Sequence, residues 1–253
     1  MLDPLYVLVA GLLQLWHSLF STVLPAAGGP AWALAVVALV LTIRSALLPL
    51  TVRQFRSQRR MQELQPELDA LRERFGDDRQ GLATAMHRLQ RERGISPLAG
   101  CLPAFAQIPV FVALFHVLRR ISAGATGLYG WSTALTRQAA AATLSGAPLF
   151  GTSLLAGGGA ATAVVALALA LVTGAATFAT QGLIQRTAPA TGPAAAVQRL
   201  LRFGLPLGAV AAGCFFPVGL LLYWATSALW TLGQQSALNR RFPPPGPAPV
   251  AAS

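Results

Sequence analysis

Lysine is absent from this chain, so its positive charge is carried by 19 arginines against 8 acids, a formal net charge of +11. That absence removes the lysine-dependent chemistries: no P-loop lysine for a phosphate, and none for a Schiff base. Acids are almost as confined. Apart from Asp3, all of them lie between Glu63 and Glu92, so no apolar stretch carries a paired-carboxylate site or an internal counter-ion. Cysteine is scarce too, and Cys101 and Cys214 sit in different apolar segments, which favours two free thiols over a disulfide. His17, His87 and His116 fall in three separate segments and match no metal-ligand spacing such as HExxH. No metal, cofactor or catalytic triad is expected, and the chain is read as a non-enzyme.

What is present in quantity is apolar. With 54% hydrophobic and 11% charged residues over 253 positions, the composition is not that of a soluble globular domain. Runs near 20 residues recur, each long enough to cross a hydrocarbon core of about 30 Å. An all-α polytopic membrane protein is expected, with five spans at about 31–52, 97–118, 160–185, 200–216 and 218–238. Arginine placement orients them. Ten arginines fall in 53–95 and five more at Arg186, Arg199, Arg202, Arg240 and Arg241, against only Arg119, Arg120 and Arg137 in the loop 119–155. By the positive-inside rule the larger group is cytoplasmic, which leaves the N-terminus outside and the C-terminus inside. The charge therefore follows topology, and no sequence-specific nucleic-acid partner is expected.

Along the chain, residues 1–30 read as an external interfacial helix and linker. Gln14, His17, Ser18 and Ser21 form a narrow polar stripe at i, i+3, i+4 and i+7, with Trp16 placed at headgroup level. A sixth span over 5–24 is the competing reading. Residues 53–95 read as a cytoplasmic helical hairpin. Met61, Leu64, Leu68, Leu71 and Phe75 make one apolar seam, continued by Leu82, Met86 and Leu89. Pro66 is expected to kink the first arm, Gly76 to end it, and Asp77 or Asp78 to cap the second. A solvated connector is the plain alternative. The loop 119–155 shows little periodicity, with Tyr129 and Trp131 as interfacial anchors. Pro189 and Pro193 punctuate a cytoplasmic connector before a short fourth span, and Pro217 turns that span directly into the fifth. The tail 242–253 is proline-rich, forms no core, and is expected to be disordered.

One residue stands against this apolar background. Arg44 lies inside the run Leu34 to Pro49, about 18 Å below Trp32 and about 13 Å above Arg53 at ~1.5 Å per residue. Holding a lone guanidinium at mid-bilayer costs on the order of +2.5 to +3.5 kcal/mol even on the lenient insertion scale, and such a charge faces a bundle interior or a wet cavity. Polar side chains at comparable depth are Gln107 in the second span, Gln181 and Gln185 in the third, and Tyr223 and Ser227 in the fifth. An internal pairing of Arg44 with a backbone carbonyl or a lipid phosphate is the plain alternative.

Three stretches taken together resemble the YidC family of membrane protein insertases, with its Oxa-type and chloroplast relatives: IRSALLPLTVRQFRSQRRMQELQPEL, GISPLAGCLPAFAQIPVFVALFHVL and FFPVGLLLYWATSALWTLGQQ. Their order and spacing match the family, with the charged hairpin between the first two, and the resemblance covers most of 31–121 and 199–241. It implies an insertase core over 31–241: five helices around a hydrophilic groove that is open to the cytoplasm and laterally to lipid, and closed outside. It places Arg44 in that groove and matches Tyr223 and Trp224 to the aromatic pair of the last helix. For the groove glutamine of the third helix, LIQRTAP favours Gln185, with Gln181 the alternative. Members of the family sit in the bacterial plasma membrane and handle nascent membrane proteins, some with the ribosome or a Sec-type translocon. The large external domain of Gram-negative members has no counterpart here, nor does a lipoprotein cysteine. The long basic tail of some members is reduced to Arg240 and Arg241. An anionic-solute transporter and a non-inserting assembly scaffold are the rival functions.

Overall fold

Long apolar runs without interior glycine clusters favour uninterrupted helices, and helices make up nearly all of the computed structural model. It describes residues 3–94, 102–122, 128–151, 153–187 and 193–244. Nine α-helices occur among them: α1 (Asp3–Phe20), α2 (Gly29–Glu63), α3 (Gln65–Phe75), α4 (Arg79–Glu92), α5 (Leu102–Ser122), α6 (Thr133–Ala140), α7 (Ala160–Thr187), α8 (Pro193–Phe215) and α9 (Val218–Arg241). By length and composition α2 and α7 are long and apolar enough to cross a membrane. Residues 97–101 of the expected second span, the connector 188–192 and the tail from 245 lie outside the described residues. The chain divides into two units, Met1–Ala46 with Ala106–Gln235, and Leu47–Phe105 with Ser236–Ser253.

The first unit is built on an aromatic core. Trp32 is fully buried near the start of α2, stacked on His17 of α1 at 3.7 Å between ring centroids, with Trp131 at 5.4 Å and Phe150 edge-on at 5.9 Å. Around them pack Leu13, Leu39, Leu114, Leu118, Ile121 and Leu149. The loop that shows little periodicity in sequence supplies much of this core. It forms a 3-10 turn at Leu128–Gly130, then α6, then a small antiparallel hairpin of β1 (Thr143–Leu144) on β2 (Ala147–Pro148). Backbone bonds fasten it: Gly219 N–H donates to Leu149 O at 2.7 Å, and Leu155 N–H to Cys214 O at 3.1 Å. Glycine is required where α2 begins, because a Cβ on Gly29 would lie 1.8 Å from Thr143 O.

Two indole rings find partners within the chain. Trp131 is buried and donates to Ala10 O at 3.2 Å, so it is not the surface anchor expected of it, and half-buried Trp16 donates to Thr42 Oγ1 at 3.1 Å. The polar stripe of α1 is also divided. Gln14 and Ser18 are exposed, but His17 is buried, and Ser21 Oγ donates back to His17 O at 2.6 Å. A neutral imidazole explains the burial. Its Nε2 lies 3.0 Å from Ala26 O, which fixes the proton on that nitrogen, and its face covers the Trp32 indole.

Burial pushes the His17 imidazole below its ordinary value of 6.5, against a smaller upward pull from the bond to Ala26 O. The unfolded chain therefore takes up this proton first, and stability contributed by neutral His17 is lost as pH falls through about 6.5. Thermal unfolding of the purified chain is expected to shift downward between pH 7.5 and 5.5. In His17→Phe, which keeps a flat ring on Trp32, this part of the pH dependence is expected to vanish. An unchanged pH profile in the variant would show that His17 is not its source.

α7 and α8 pair through small residues. The buried face of α7 carries Thr162, Ala166, Ala170, Thr173 and Gly174, and a Cβ on Gly213 of α8 would come within 2.9 Å of Ala170 Cβ. Close approach of this kind suits association where lipid offers no hydrophobic drive. Pro193 opens α8 rather than ending a connector, since its missing N–H falls where a helix has no acceptor to use. At 23 residues α8 is accordingly longer than the short fourth span expected.

The second unit contains the hairpin of α3 and α4. Leu64 and Leu68 are buried against Met61, Met86 and Leu89, as the seam requires. The helix breaks at Leu64, and Pro66 lies in the first turn of α3, so it starts an arm instead of kinking one. Gly76 ends α3 at φ +49°, and Asp78 caps α4 by accepting from Gly81 N–H at 2.9 Å. Arg93 and Glu67 pair between the two arms at 2.7 Å.

Candidate functional site

Arg44 lies sixteen residues along α2, on the face turned toward α9. Its Nη2 donates to Ser227 Oγ, and its Nε–H is buried without a hydrogen-bond partner among the described residues. One turn earlier on α9, Tyr223 Oη accepts from Gln107 Nε2 of α5. Two spaces meet at Arg44. A small void of about 10 Å³ is bounded by Val9, Leu39, Val40, Ile43, Arg44, Gln107, Val110, Leu114 and Tyr223. Its volume is near the lower limit for one water, and its three polar side chains are enough to hold one.

The second space is a cavity of about 350 Å³ with room for many waters. α2 contributes Arg44; α7 contributes Thr173, Thr177, Thr180, Gln181 and Ile184; α9 contributes Trp224, Ser227, Ala228 and Thr231. The lining contains four threonines, a serine, a glutamine and the guanidinium, and no acid. Thr173, Thr177 and Thr180 recur with Gln181 at helical spacing, a signal in the sequence that extends the polar face beyond the glutamines singled out there. Several of these hydroxyls also donate to carbonyls on their own helices, as in Thr173 to Leu169 O at 2.7 Å and Thr180 to Ala176 O at 2.8 Å. Their lone pairs remain available to donors in the cavity.

Of the seven side chains singled out from sequence, six gather around Arg44: Arg44 itself, Gln107, Gln181, Tyr223, Trp224 and Ser227. Trp224 stacks on Phe111 at 5.8 Å and meets Phe216 edge-on at 5.0 Å, giving the cavity a rigid aromatic edge. Gln185 is placed elsewhere. One turn beyond Gln181, it accepts from Arg202 Nη1 at 2.7 Å and donates to Gln198 O at 3.0 Å, which ties it to α8. Among the described residues no group of three or more histidines, cysteines or acids is placed to hold a metal ion.

The chain matches the family model described as 60Kd inner membrane protein over residues 23–245. It is 37% identical over 262 residues to the membrane protein insertase YidC of Mycolicibacterium paratuberculosis, covering 92% of this chain and 74% of that protein. To the membrane protein insertase YidC of Mycobacterium tuberculosis it is 38% identical over 262 residues, covering 92% of this chain and 71% of that protein. To that of Vibrio atlanticus it is 34% identical over 210 residues, covering 83% of this chain but 33% of that protein. A match that runs from before α2 to beyond the end of α9 takes in every helix that lines the Arg44 cavity, and the chain belongs to the YidC/Oxa family of membrane protein insertases.

Proposed function

We propose that this chain is a membrane protein insertase of the bacterial plasma membrane, acting through the polar cavity beside Arg44. In this reading α2, α5, α7, α8 and α9 are five spans, each of at least 21 residues and so at least about 31 Å long. The N-terminus lies outside, and the hairpin of α3 and α4 stands in the cytoplasm, where it receives a client or its ribosome. Nascent membrane proteins are the clients, and the bilayer is the acceptor.

The observation that carries the proposal is the cavity of about 350 Å³ on which an arginine, a glutamine and five hydroxyl side chains converge without an acid. A polar client tail leaving water for hydrocarbon loses its hydrogen bonds, and each unmet group costs several kcal/mol. A wet cavity reaching part-way through the bilayer shortens the dry distance that the tail must cross. Arg44 then acts as an electrostatic attractor for acidic groups on the tail, not as an acid or base. The client's apolar segment meanwhile partitions into lipid, and its burial supplies the driving force without nucleotide.

Reconstitution tests this. The purified full chain in lipid vesicles, with one purified single-span client and no other translocon component, is expected to give a protease-protected client tail without ATP. Protein-free vesicles are expected to give little. A client left fully accessible in both cases would reject the insertase reading in favour of a scaffold. Anion flux through the same vesicles without insertion would instead support a transporter.

A further inference from the structure

We infer that the ends of α7 and α8 joined by residues 188–192 form a binding site for the phosphate of an anionic phospholipid headgroup. The inference rests on the reading above that α7 and α8 span the membrane with this end in the cytoplasmic leaflet. Gln185 is its centre. By accepting from Arg202 and donating to Gln198 O it holds the last turn of α7 against the first turns of α8. Two more arginines lie on the same helix ends: Arg186, next to Gln185 in sequence, and Arg199, one turn before Arg202 on α8.

None of the three guanidiniums forms an ion pair among the described residues, and no acid lies on α7, on α8 or on the chain between them. Nothing from residue 93 to the end of the chain is acidic, the connector included. Arg186 and Arg199 are exposed and make no hydrogen bond or ion pair among the described residues. Arg202 is held in place. Its guanidinium lies 4.8 Å over the Phe178 ring and 5.9 Å from that of Phe203, and its Nε–H is buried without a hydrogen-bond partner among the described residues. A guanidinium oriented by two rings and a glutamine loses little further freedom on binding, and its planar fork matches two phosphate oxygens.

The surroundings select a lipid over a phosphate in water. Val197, Leu200 and Phe203 are exposed beside Arg199 and Arg202 on α8, and Phe178, against which Arg202 lies, is exposed as well. Acyl chains would lie against those side chains while the headgroup met the arginines. A free phosphate leaves them bare, and a nucleic acid would place them in water. Basic pockets between spans on the cytoplasmic side have the chemistry that anionic headgroups require.

The test needs no client, so its failure leaves the insertase reading standing. The full chain is reconstituted in phosphatidylcholine vesicles containing a few per cent of photoactivatable phosphatidylglycerol, and crosslinks are mapped by mass spectrometry. Crosslinks are expected on peptides covering 178–203, about threefold or more above those from photoactivatable phosphatidylcholine, given the contribution of single interfacial arginines. Combined Arg186→Gln, Arg199→Gln and Arg202→Gln is expected to erase the excess, and Arg202→Lys to retain part of it. Should the triple variant fail to fold, the exposed pair Arg186→Gln with Arg199→Gln serves, and a fall of about threefold is expected. An equal yield for the two lipids, or an excess unchanged in these variants, would overturn the site. Full competition by millimolar inorganic phosphate would overturn the lipid assignment.

Discussion

Arg44→Ala is expected to lower insertion of a client with an acidic N-terminal tail by about tenfold or more, while leaving the chain folded. The magnitude follows from Coulomb attraction. Two unit charges 4 Å apart interact by about 1 kcal/mol in bulk water and about 4 kcal/mol at an effective dielectric near 20, and each 1.4 kcal/mol is a factor of ten. The cavity lies between these limits, being lined by hydroxyls and a glutamine but bounded by helices. Folding is expected to survive because Arg44 makes one side-chain hydrogen bond, to Ser227, which retains a water-accessible partner set in the cavity once the guanidinium is gone. Removing a charge that has no internal counter-ion also relieves a desolvation cost.

Two comparisons separate attraction from geometry. Arg44→Lys keeps the charge and is expected to recover most of the activity, since a point charge can draw a carboxylate without the guanidinium fork. A client whose tail has been neutralised by Asp→Asn and Glu→Gln changes is expected to lose far less in Arg44→Ala than the acidic one. Insertion yield by protease protection, in cells depleted of the endogenous insertase or in vesicles, reads both. Full insertion of the acid-tailed client by Arg44→Ala would reject the attractor role. Equal losses for acidic and neutral tails would reassign Arg44 to hydrating the cavity.

The parts of this site that could be read from the chain are those with a local cause. Arg44 is conspicuous because an apolar run has no other charge, and Gly76 and Asp78 are helix punctuation that the structure uses. Rotational placement is a different matter. Gln181 and Gln185 are one turn apart, and what separates them is Arg202, seventeen residues further on, which captures one and leaves the other in the cavity. The segment 128–155 shows the same limit more strongly. Its short, alanine-rich pieces have little periodicity, and their order comes from distant partners: Gly29 admitting Thr143, Gly219 bonding Leu149, and Trp131 reaching Ala10 O. By spacing His17 belongs to the polar stripe of α1, yet its neutral ring behaves as a flat apolar surface with one bond to make.

Those long-range contacts converge on Trp32, and its removal is expected to have the largest effect on stability. Trp32→Ala should cost about 3–5 kcal/mol, the range for truncating a large buried aromatic. The residue is fully buried, and it touches three separate elements: His17 of α1, Trp131 just before α6, and Phe150 after β2. Relaxation into the vacated space is restricted, since β1 meets the start of α2 at Gly29 with no room for even a Cβ, and the amide of Gly219 is anchored on Leu149 O. Trp32→Phe keeps a ring beneath His17 and is expected to lose roughly half as much. Thermal or denaturant unfolding of the purified variants reads the total. Amide exchange locates it, with the bonds from Leu149 N–H to Ala142 O and from Gly219 N–H to Leu149 O as reporters. Their protection is expected to fall in Trp32→Ala while that of α7 and α8, which pair through their own small-residue faces, changes least. A variant that melts with wild-type stability, or that loses protection uniformly, would show that the segment 128–155 does not depend on this ring.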